Sequence, residues 1–511
     1  MNLLELNWGL LAPELTIVIL AAVITLADLI MKDKGDRKIF AYVSIAGILL
    51  SIYFVVQDLG EPVQQLLNDS YRIDSFGNLF KLIFLVGTAF VFLMSIHHID
   101  KEEIEYDGEY YYLLLTALLG AMIMSSSADI ITLYIGLELL SLSSYVLAGI
   151  RRKNLKSNEA GFKYVIVGGA SSAIFLYGTS FIYGITGTTN LLELANRLPE
   201  TFATGEYNFF IYLGFLMIVV GLGYKISVVP AYMWAPDVYE GAPTPVTAFL
   251  SVVSKAAGFA IILRMFMTVF TSLVDTSTNQ YFFFDQMTLY LSVIAGLTMI
   301  IGNTMAVRQR NIKRMMALSS VAQAGYILVP LASMKLASAQ LVEANMSNMI
   351  FYLMAYLLMN LGAFAVITVV TKDTGTEELN AFAGLYHRSP LLGVAMTFFL
   401  LSLAGLPVTA GFIGKFNIFI SALTVNNQQS SYWLAGIMMV TSVISYFYYF
   451  NIGRQMYMRN GSNRTLSVPF GLQLVILLTF VGTFAFGLVP NVLYDYIANH
   501  FNLVDLFTMG K

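Results

Sequence analysis

The sequence predicts an all-α polytopic membrane protein of about fourteen transmembrane helices, two of them broken inside the membrane. Three observations lead there. Of 511 residues, 57% are hydrophobic and only 12% charged, whereas a soluble chain is about half apolar and about a quarter charged. The apolar residues gather in runs of roughly twenty, the length that crosses a hydrocarbon core of about 30 Å. Lys and Arg recur in alternate connections between those runs. A mean hydropathy of +0.72 agrees with all three.

Taken in order, the runs are Gly9–Met31, Ile39–Val56, Phe76–Ile96, Tyr110–Ser126, Ile130–Gly149, Phe162–Ile185 and Phe209–Met233. They continue as Thr244–Val269, Met287–Val307, Ala317–Ala332, Met349–Val370, Leu391–Leu423, Trp433–Ile452 and Phe470–Leu488. The opening Met1-Asn2-Leu3-Leu4-Glu5 has no basic n-region, and Glu14 stands inside the first run, so that run reads as a retained span. The basic connections hold Lys32, Lys34, Arg37 and Lys38; Arg151, Arg152, Lys153 and Lys156; Arg308, Arg310, Lys313 and Arg314; and Arg454, Arg459 and Arg464. The positive-inside rule makes these cytoplasmic, which places both termini outside. No connection is long enough for a second domain, so residues 1–511 read as one membrane domain. The stretch from Asn190 to Tyr207 reads as a short surface helix, and Leu493–Phe507 as an interfacial segment.

With no cysteine, the chain offers no disulfide, no iron–sulfur ligation and no thiolate zinc site. His97, His98, His387 and His500 fall at span ends or in connections, so an embedded haem is not expected. A net charge of -3 gives no reason to expect a nucleic-acid partner.

Function is written in the charges inside the spans. A Lys or Glu near a helix centre costs about 2.5–3.5 kcal/mol on insertion scales and marks an ion or proton path. Glu138, Lys225, Lys255 and Lys415 stand well inside four separate spans. Burial favours the neutral form of a lysine, and a nearby carboxylate opposes that. Charges about 7 Å apart at an effective dielectric near 20 interact by roughly 2.4 kcal/mol, more than tenfold in a proton equilibrium. Movement of Glu138 against Lys225 is therefore expected to switch the lysine between holding and releasing a proton. The competing reading of Glu138 and Lys225 is a static ion pair that fixes helix packing. Pro230 and Pro407 break the seventh and twelfth spans and free the carbonyls of Ile226 and Leu403, which are expected to hold water between the charges. Lys81, Lys163 and Arg264 lie nearer span ends and read as snorkelling side chains. Asp28 and Asp129 read as interface residues, and Glu14 as a conduit entrance or a partner contact.

The stretch Val229-Pro230-Ala231-Tyr232-Met233-Trp234-Ala235-Pro236-Asp237-Val238-Tyr239-Glu240-Gly241-Ala242-Pro243-Thr244-Pro245-Val246 resembles the seventh-helix loop of the antiporter-like subunits of proton-pumping NADH:quinone oxidoreductase, respiratory complex I. Leu403-Ala404-Gly405-Leu406-Pro407 through Gly411-Phe412-Ile413-Gly414-Lys415-Phe416 is similar to their twelfth helix. Tyr134-Ile135-Gly136-Leu137-Glu138-Leu139 is similar to the segment bearing their glutamate. Within the group, Leu11-Ala12-Pro13-Glu14-Leu15, the overall length and a lysine at Lys415 resemble subunit N. The resemblance implies a proton-translocating membrane subunit in a bacterial plasma membrane. It also implies that the chain carries no cofactor itself and that NADH, flavin, iron–sulfur clusters and quinone belong to partner subunits. It implies that Glu138 modulates Lys225, that Lys255 is the central relay and Lys415 the exit-side relay. It also implies two inverted five-helix repeats, approximately 110–270 and 287–452. The chain departs from the pattern at Tyr232 and Gln323, where the family often has histidine. Neither residue titrates near neutral pH as histidine does. The rival readings are a subunit of a multisubunit sodium/proton antiporter, a subunit of a hydrogenase- or ferredoxin-linked relative, and a membrane scaffold with no conduit.

Overall fold

A computed structural model of the chain describes residues 7–31, 36–99, 104–273, 282–334, 339–423, 431–461 and 465–506. Lys32, Lys34, Arg464, Phe507 and the first five residues lie outside the described residues. Apolar runs form helices here because lipid offers no partner for backbone N–H and C=O, and a helix satisfies both within itself. In chain order these are α1 (Ala12–Ile30), α2 (Lys38–Gln57), α3 (Ser75–Ser95), α4 (Asp107–Ser126), α5 (Ile130–Ala148), α6 (Leu155–Thr186), α7 (Leu191–Thr204), α8 (Asn208–Ile226), α9 (Trp234–Gly241) and α10 (Thr244–Phe249). They continue with α11 (Lys255–Thr268), α12 (Phe282–Ala306), α13 (Ile312–Ala332), α14 (Ala339–Thr374), α15 (Leu385–Arg388), α16 (Pro390–Ala404), α17 (Ala410–Leu423), α18 (Tyr432–Met458), α19 (Phe470–Leu488) and α20 (Pro490–His500).

The fold is all-α and polytopic. Among the described residues, 12 helices are long and apolar enough to cross a membrane. The two remaining spans expected from sequence fall on α4, which opens with Asp107 and Glu109 and is rich in tyrosine, and on the broken pair α16 and α17. The surface helix expected after Asn190 is α7, capped by the Asn190 side chain. His97 and His98 follow α3, His387 lies in α15 and His500 ends α20.

Several boundaries move. The seventh helix stops at Ile226, not Met233, because the N–H that would bond the Ile226 carbonyl belongs to residue 230, a proline. The eighth is interrupted by a π turn, Leu250–Ser254, joining α10 to α11. A hairpin of β1 (Gln64–Leu66) paired antiparallel with β2 (Tyr71–Ile73) fills the connection between α2 and α3, which the hydropathy pattern left blank.

α13 is buried along its whole length except Arg314, and α11 is buried throughout, so these helices form the centre. Lipid tails give no hydrophobic drive for helix pairing, so close backbone approach carries it. A methyl on Gly120 of α4 would lie 2.5 Å from the Leu140 N of α5, and one on Gly302 of α12 would lie 2.6 Å from the Ala322 N of α13.

The basic connections gather on one face. Arg37 lies 3.5 Å from Asp107, Arg152 3.7 Å from Glu109, and both Lys156 and Arg314 pair with Glu240. The hairpin and the start of α1 lie at the opposite end.

Candidate functional site: buried lysines on interrupted helices

Lys225 ends α8 and is 3% exposed. Its ammonium donates to the Ser141 hydroxyl of α5 at 3.0 Å. Glu138 lies one helical turn from Ser141 on the same face, is partly buried, and accepts a short hydrogen bond from the Ser172 hydroxyl of α6. Among the described residues Glu138 and Lys225 form no direct ion pair: Ser141 takes the ammonium and Ser172 the carboxylate.

Lys255 opens α11 directly after the π turn and is 1% exposed. π turns are enriched at functional sites because the extra residue re-aims a side chain. The Lys255 ammonium donates to the Ser320 carbonyl at 2.6 Å and to the Ser320 hydroxyl at 2.8 Å, on α13. The Tyr239 hydroxyl shares that serine oxygen at 3.2 Å.

Lys415 lies on α17 and is 6% exposed. Its ammonium donates to the Leu403 carbonyl at 2.7 Å and the Ala404 carbonyl at 3.3 Å, and lies 4.8 Å from the centre of the Tyr326 ring. Leu403 is the carbonyl that Pro407 frees. The sequence reading assigned it water; the lysine takes it directly. The end of α16 also carries the negative pole of its helix dipole, which favours a cation. Gly405 makes the approach possible: its φ is +84, and a methyl there would lie 2.8 Å from the Lys415 Cδ.

Gln323, one turn beyond Ser320 on α13, donates to the same Leu403 carbonyl at 3.2 Å and accepts a short bond from the Tyr352 hydroxyl. Ser320, Gln323 and Leu403 therefore link Lys255 to Lys415. Tyr232 is not brought to this chain; its hydroxyl meets the Met305 sulfur at 3.3 Å.

Two lysine and arginine assignments need correction. Lys81 does not snorkel: it is 1% exposed, with its ammonium 2.9 Å from Glu14. Arg264 is 2% exposed and grips Asp74 with two bonds of 2.7 and 2.8 Å, while also donating to the Ser125 carbonyl at 2.5 Å. Lys163 keeps a half-exposed position and pairs with Glu159 and Asp237. Asp129 caps α5, and Asp28 pairs with Arg37 at 2.5 Å. Glu14 is buried, so it is not an exposed partner contact.

On the basic face, Arg314 joins Asp237 at 2.6 Å and Glu240 at 2.8 Å. Buried Lys313 donates to the carbonyls of Glu240 and Ala242 and to Glu377. Burial alone would raise both acids of α9. Hydrogen bonds from Lys163 and Arg314 to Asp237, and from Lys156 and Arg314 to Glu240, outweigh it and hold both carboxyls below their ordinary range. This cluster borders an open cavity of ≈ 760 Å³ lined in part by Arg151, Lys156, Glu240 and Asn311. Ser141, Ser320 and this cluster were missed by sequence reading. The charges of Asp237 and Glu240 within a proline-rich loop were the available signal. Among the described residues no group of three or more His, Cys, Asp or Glu is placed to hold a metal ion.

Known proteins resemble this one along its whole length. Residues 127–445 match the family described as NADH:quinone oxidoreductase/Mrp antiporter, TM. The NADH-quinone oxidoreductase subunit N of Brevibacillus brevis is 50% identical over 505 residues, covering 98% of this chain and 96% of that one. A chain of respiratory complex I from Thermus thermophilus, solved with bound aureothin, superposes with a TM-score of 0.75 at 28% identity, covering 94% of this chain and 98% of that one. A chain of the Mrp complex from Dietzia sp. shares the fold, with a TM-score of 0.78 at 20% identity, covering 98% and 97%. Identity at half of all positions, sustained end to end, places the chain in the NADH-quinone oxidoreductase subunit N family.

Proposed function

We infer that this chain is the proton-translocating subunit N of a bacterial respiratory complex I. Partner subunits hold NADH, flavin, iron–sulfur clusters and quinone and pass the electrons. Within it, we propose, Glu138, Lys225, Lys255 and Lys415 relay protons. One observation carries the relay: the three lysines are buried at helix interruptions, and each ammonium is held by a neutral oxygen. A lysine so held keeps a place for its charge and is free to give up the proton, which a tight carboxylate pair would retain. Glu138, one turn from the Ser141 anchor, biases Lys225 by distance alone. Ser320, Gln323 and the end of α16 carry the connection onward to Lys415.

The same reading takes the chain as fourteen spans with both termini outside, built from inverted repeats near 110–270 and 287–452. Two matching details support the repeats. Ile130 N bonds the Thr189 carbonyl and Leu191 N bonds the Ala128 carbonyl on the hairpin face. Ile312 N bonds the Glu377 carbonyl and Leu379 N bonds the Arg310 carbonyl on the basic face. The glycine crossings of α4 on α5 and of α12 on α13 match as well. Sodium/proton antiport is the less supported alternative: the matched family spans both kinds of complex, but the 50% identity is with a subunit N and the solved Mrp chain is 20% identical.

The test uses the whole complex in sealed vesicles. Lys225→Ala, Lys255→Ala and Lys415→Ala are expected to abolish acidification and slow NADH:quinone turnover, with NADH:ferricyanide activity, which counts assembled complex, unchanged. Acidification at the wild-type rate in all three would sink the relay.

A further inference from the structure

The relay leaves one set of buried charges unused, at the hairpin end of the molecule. Glu14 of α1 is 5% exposed and Lys81 of α3 is 1% exposed. One oxygen of Glu14 lies 2.9 Å from the Lys81 ammonium. The Tyr71 hydroxyl lies against the Glu14 carboxylate and the Ser126 hydroxyl, and among the described residues neither Glu14 oxygen has a geometrically complete hydrogen bond. The Lys81 ammonium also lies 5.4 Å from the centre of the Tyr71 ring.

This cluster touches both the interior and the surface. On its inner side stand Arg264 and Asp74, and Arg264 rides on α11, the helix that Lys255 opens. On its outer side Asp58, at the end of α2 and partly exposed, faces Lys81 and Glu14. Helical rise places Lys81 about 9 Å into α3 from the hairpin face, within reach of that surface.

As a staple, such a pair is poorly chosen. Two ions lose their hydration, and an apolar pair of similar volume joins helices as well or better. A carboxylate beside an ammonium at 2.9 Å and with no complete hydrogen bond on either oxygen retains an acceptor position for a proton. When it fills, Lys81 still has the Tyr71 ring at 5.4 Å and the longer-range attraction of the Asp58 carboxylate.

We propose that Glu14, paired with Lys81, is a second proton-exchanging site of this chain, the group through which protons leave on the hairpin face. The Glu14 side chain takes a proton from the side of the Tyr71 and Ser126 hydroxyls. It then passes that proton to water at the Asp58 edge and returns to the carboxylate. The inference rests on the chain moving protons, and the experiment separates the two ideas.

Whole complexes bearing Glu14→Gln, Glu14→Asp, Glu14→Gln with Lys81→Met, and Lys255→Ala are reconstituted in vesicles. The rate of acidification is read at equal NADH:ferricyanide activity, so a lower yield of complex does not enter the comparison. Glu14→Gln is expected to cut acidification at least tenfold, Glu14→Asp to restore most of it, and the neutral double variant to stay slow. Recovery in the double variant means a packing staple and overturns the proposal, as does a wild-type rate in Glu14→Gln. A wild-type rate in Lys255→Ala overturns the relay instead.

Discussion

Replacing Ser141 with alanine removes one oxygen from the relay and leaves every charge in place. That oxygen is the one hydrogen-bond acceptor of Lys225 among the described residues, at 3.0 Å. A hydrogen bond to a charged group is worth about 1.5–3 kcal/mol. The ammonium therefore loses roughly ten- to hundredfold of its preference for this position. If protons pass through Lys225 while Ser141 holds it, coupled turnover falls by up to the same factor. Glu138, one turn away, is then the nearest competing partner, and a lysine drawn into a direct pair with it is slower still to release. The assay is NADH:quinone turnover and vesicle acidification, each divided by NADH:ferricyanide activity. Ser141→Thr, which keeps the hydroxyl, is expected to retain most of the rate. Wild-type acidification in Ser141→Ala, beside a dead Lys225→Ala, would refute the anchoring role while leaving the charge essential.

Asp74→Asn retains a helix cap for α3 but unpairs Arg264; stranding a buried guanidinium costs about 3–5 kcal/mol, so the detergent-extracted complex should lose activity at a clearly lower temperature. An apolar Asp74→Leu/Arg264→Met pair should recover part of that loss, short of the cap, worth about 1 kcal/mol. Gly405→Ala puts a side chain at a φ of +84 and against Lys415; left-handed strain of roughly 1–2 kcal/mol plus the clash should reduce acidification about tenfold or more, with ferricyanide activity intact. Burial raises Asp237 and Glu240, but hydrogen bonds and charge from Lys163, Lys156 and Arg314 together outweigh it and hold both below their ordinary range. Their contribution is therefore full above the unfolded carboxylate value of about 4 and is lost as pH falls through the lower folded one. Hydrogen-exchange protection of α9 should fall over that acid window in the wild type, and an Asp237→Asn/Glu240→Gln variant should be weak at every pH.

The sequence made the membrane class, the position of nearly every span and both helix breaks legible, because hydropathy and proline act locally. It also placed Lys225, Lys255 and Lys415 in the interior, since a charge inside a run of twenty apolar residues has few places to go. Partners were the hidden part. Asp74 and Arg264 are 190 residues apart in the chain, and nothing local separates a snorkelling arginine near a span end from one clamped in the core. Ser141 and Ser320 were illegible for a different reason. A serine in a membrane helix commonly bonds its own backbone, as Ser144 does to the Leu140 carbonyl at 2.6 Å, so its presence does not announce a lysine. The π turn before Lys255 leaves no mark in composition, and strands of three residues are too short for alternation to register.

Arg264 and the three proposed relay lysines are held in different ways, and the difference fits a structural role for the first and an exchangeable proton for the others. Arg264 is gripped by a carboxylate through two bonds and by a carbonyl through a third. A guanidinium does not lose its proton in a protein, so this arrangement fixes α3 against α11. Lys225, Lys255 and Lys415 are held by hydroxyls and carbonyls, and a lysine does release a proton when buried. A hydrogen bond from an ammonium to a neutral oxygen, about 1.5–3 kcal/mol, is small enough to be exchanged within a catalytic cycle. Unpairing the doubly bonded Arg264–Asp74 clamp, about 3–5 kcal/mol, is not. The neutral oxygens come from two sources: serines of the unbroken α5 and α13 hold Lys225 and Lys255, whereas at α16 the break before Pro407 leaves the Leu403 carbonyl to Lys415. On the proposed relay, what the three sites share is a buried ammonium beside a helix interruption and held by neutral oxygen, so replacing that oxygen and replacing the lysine are expected to slow the same step.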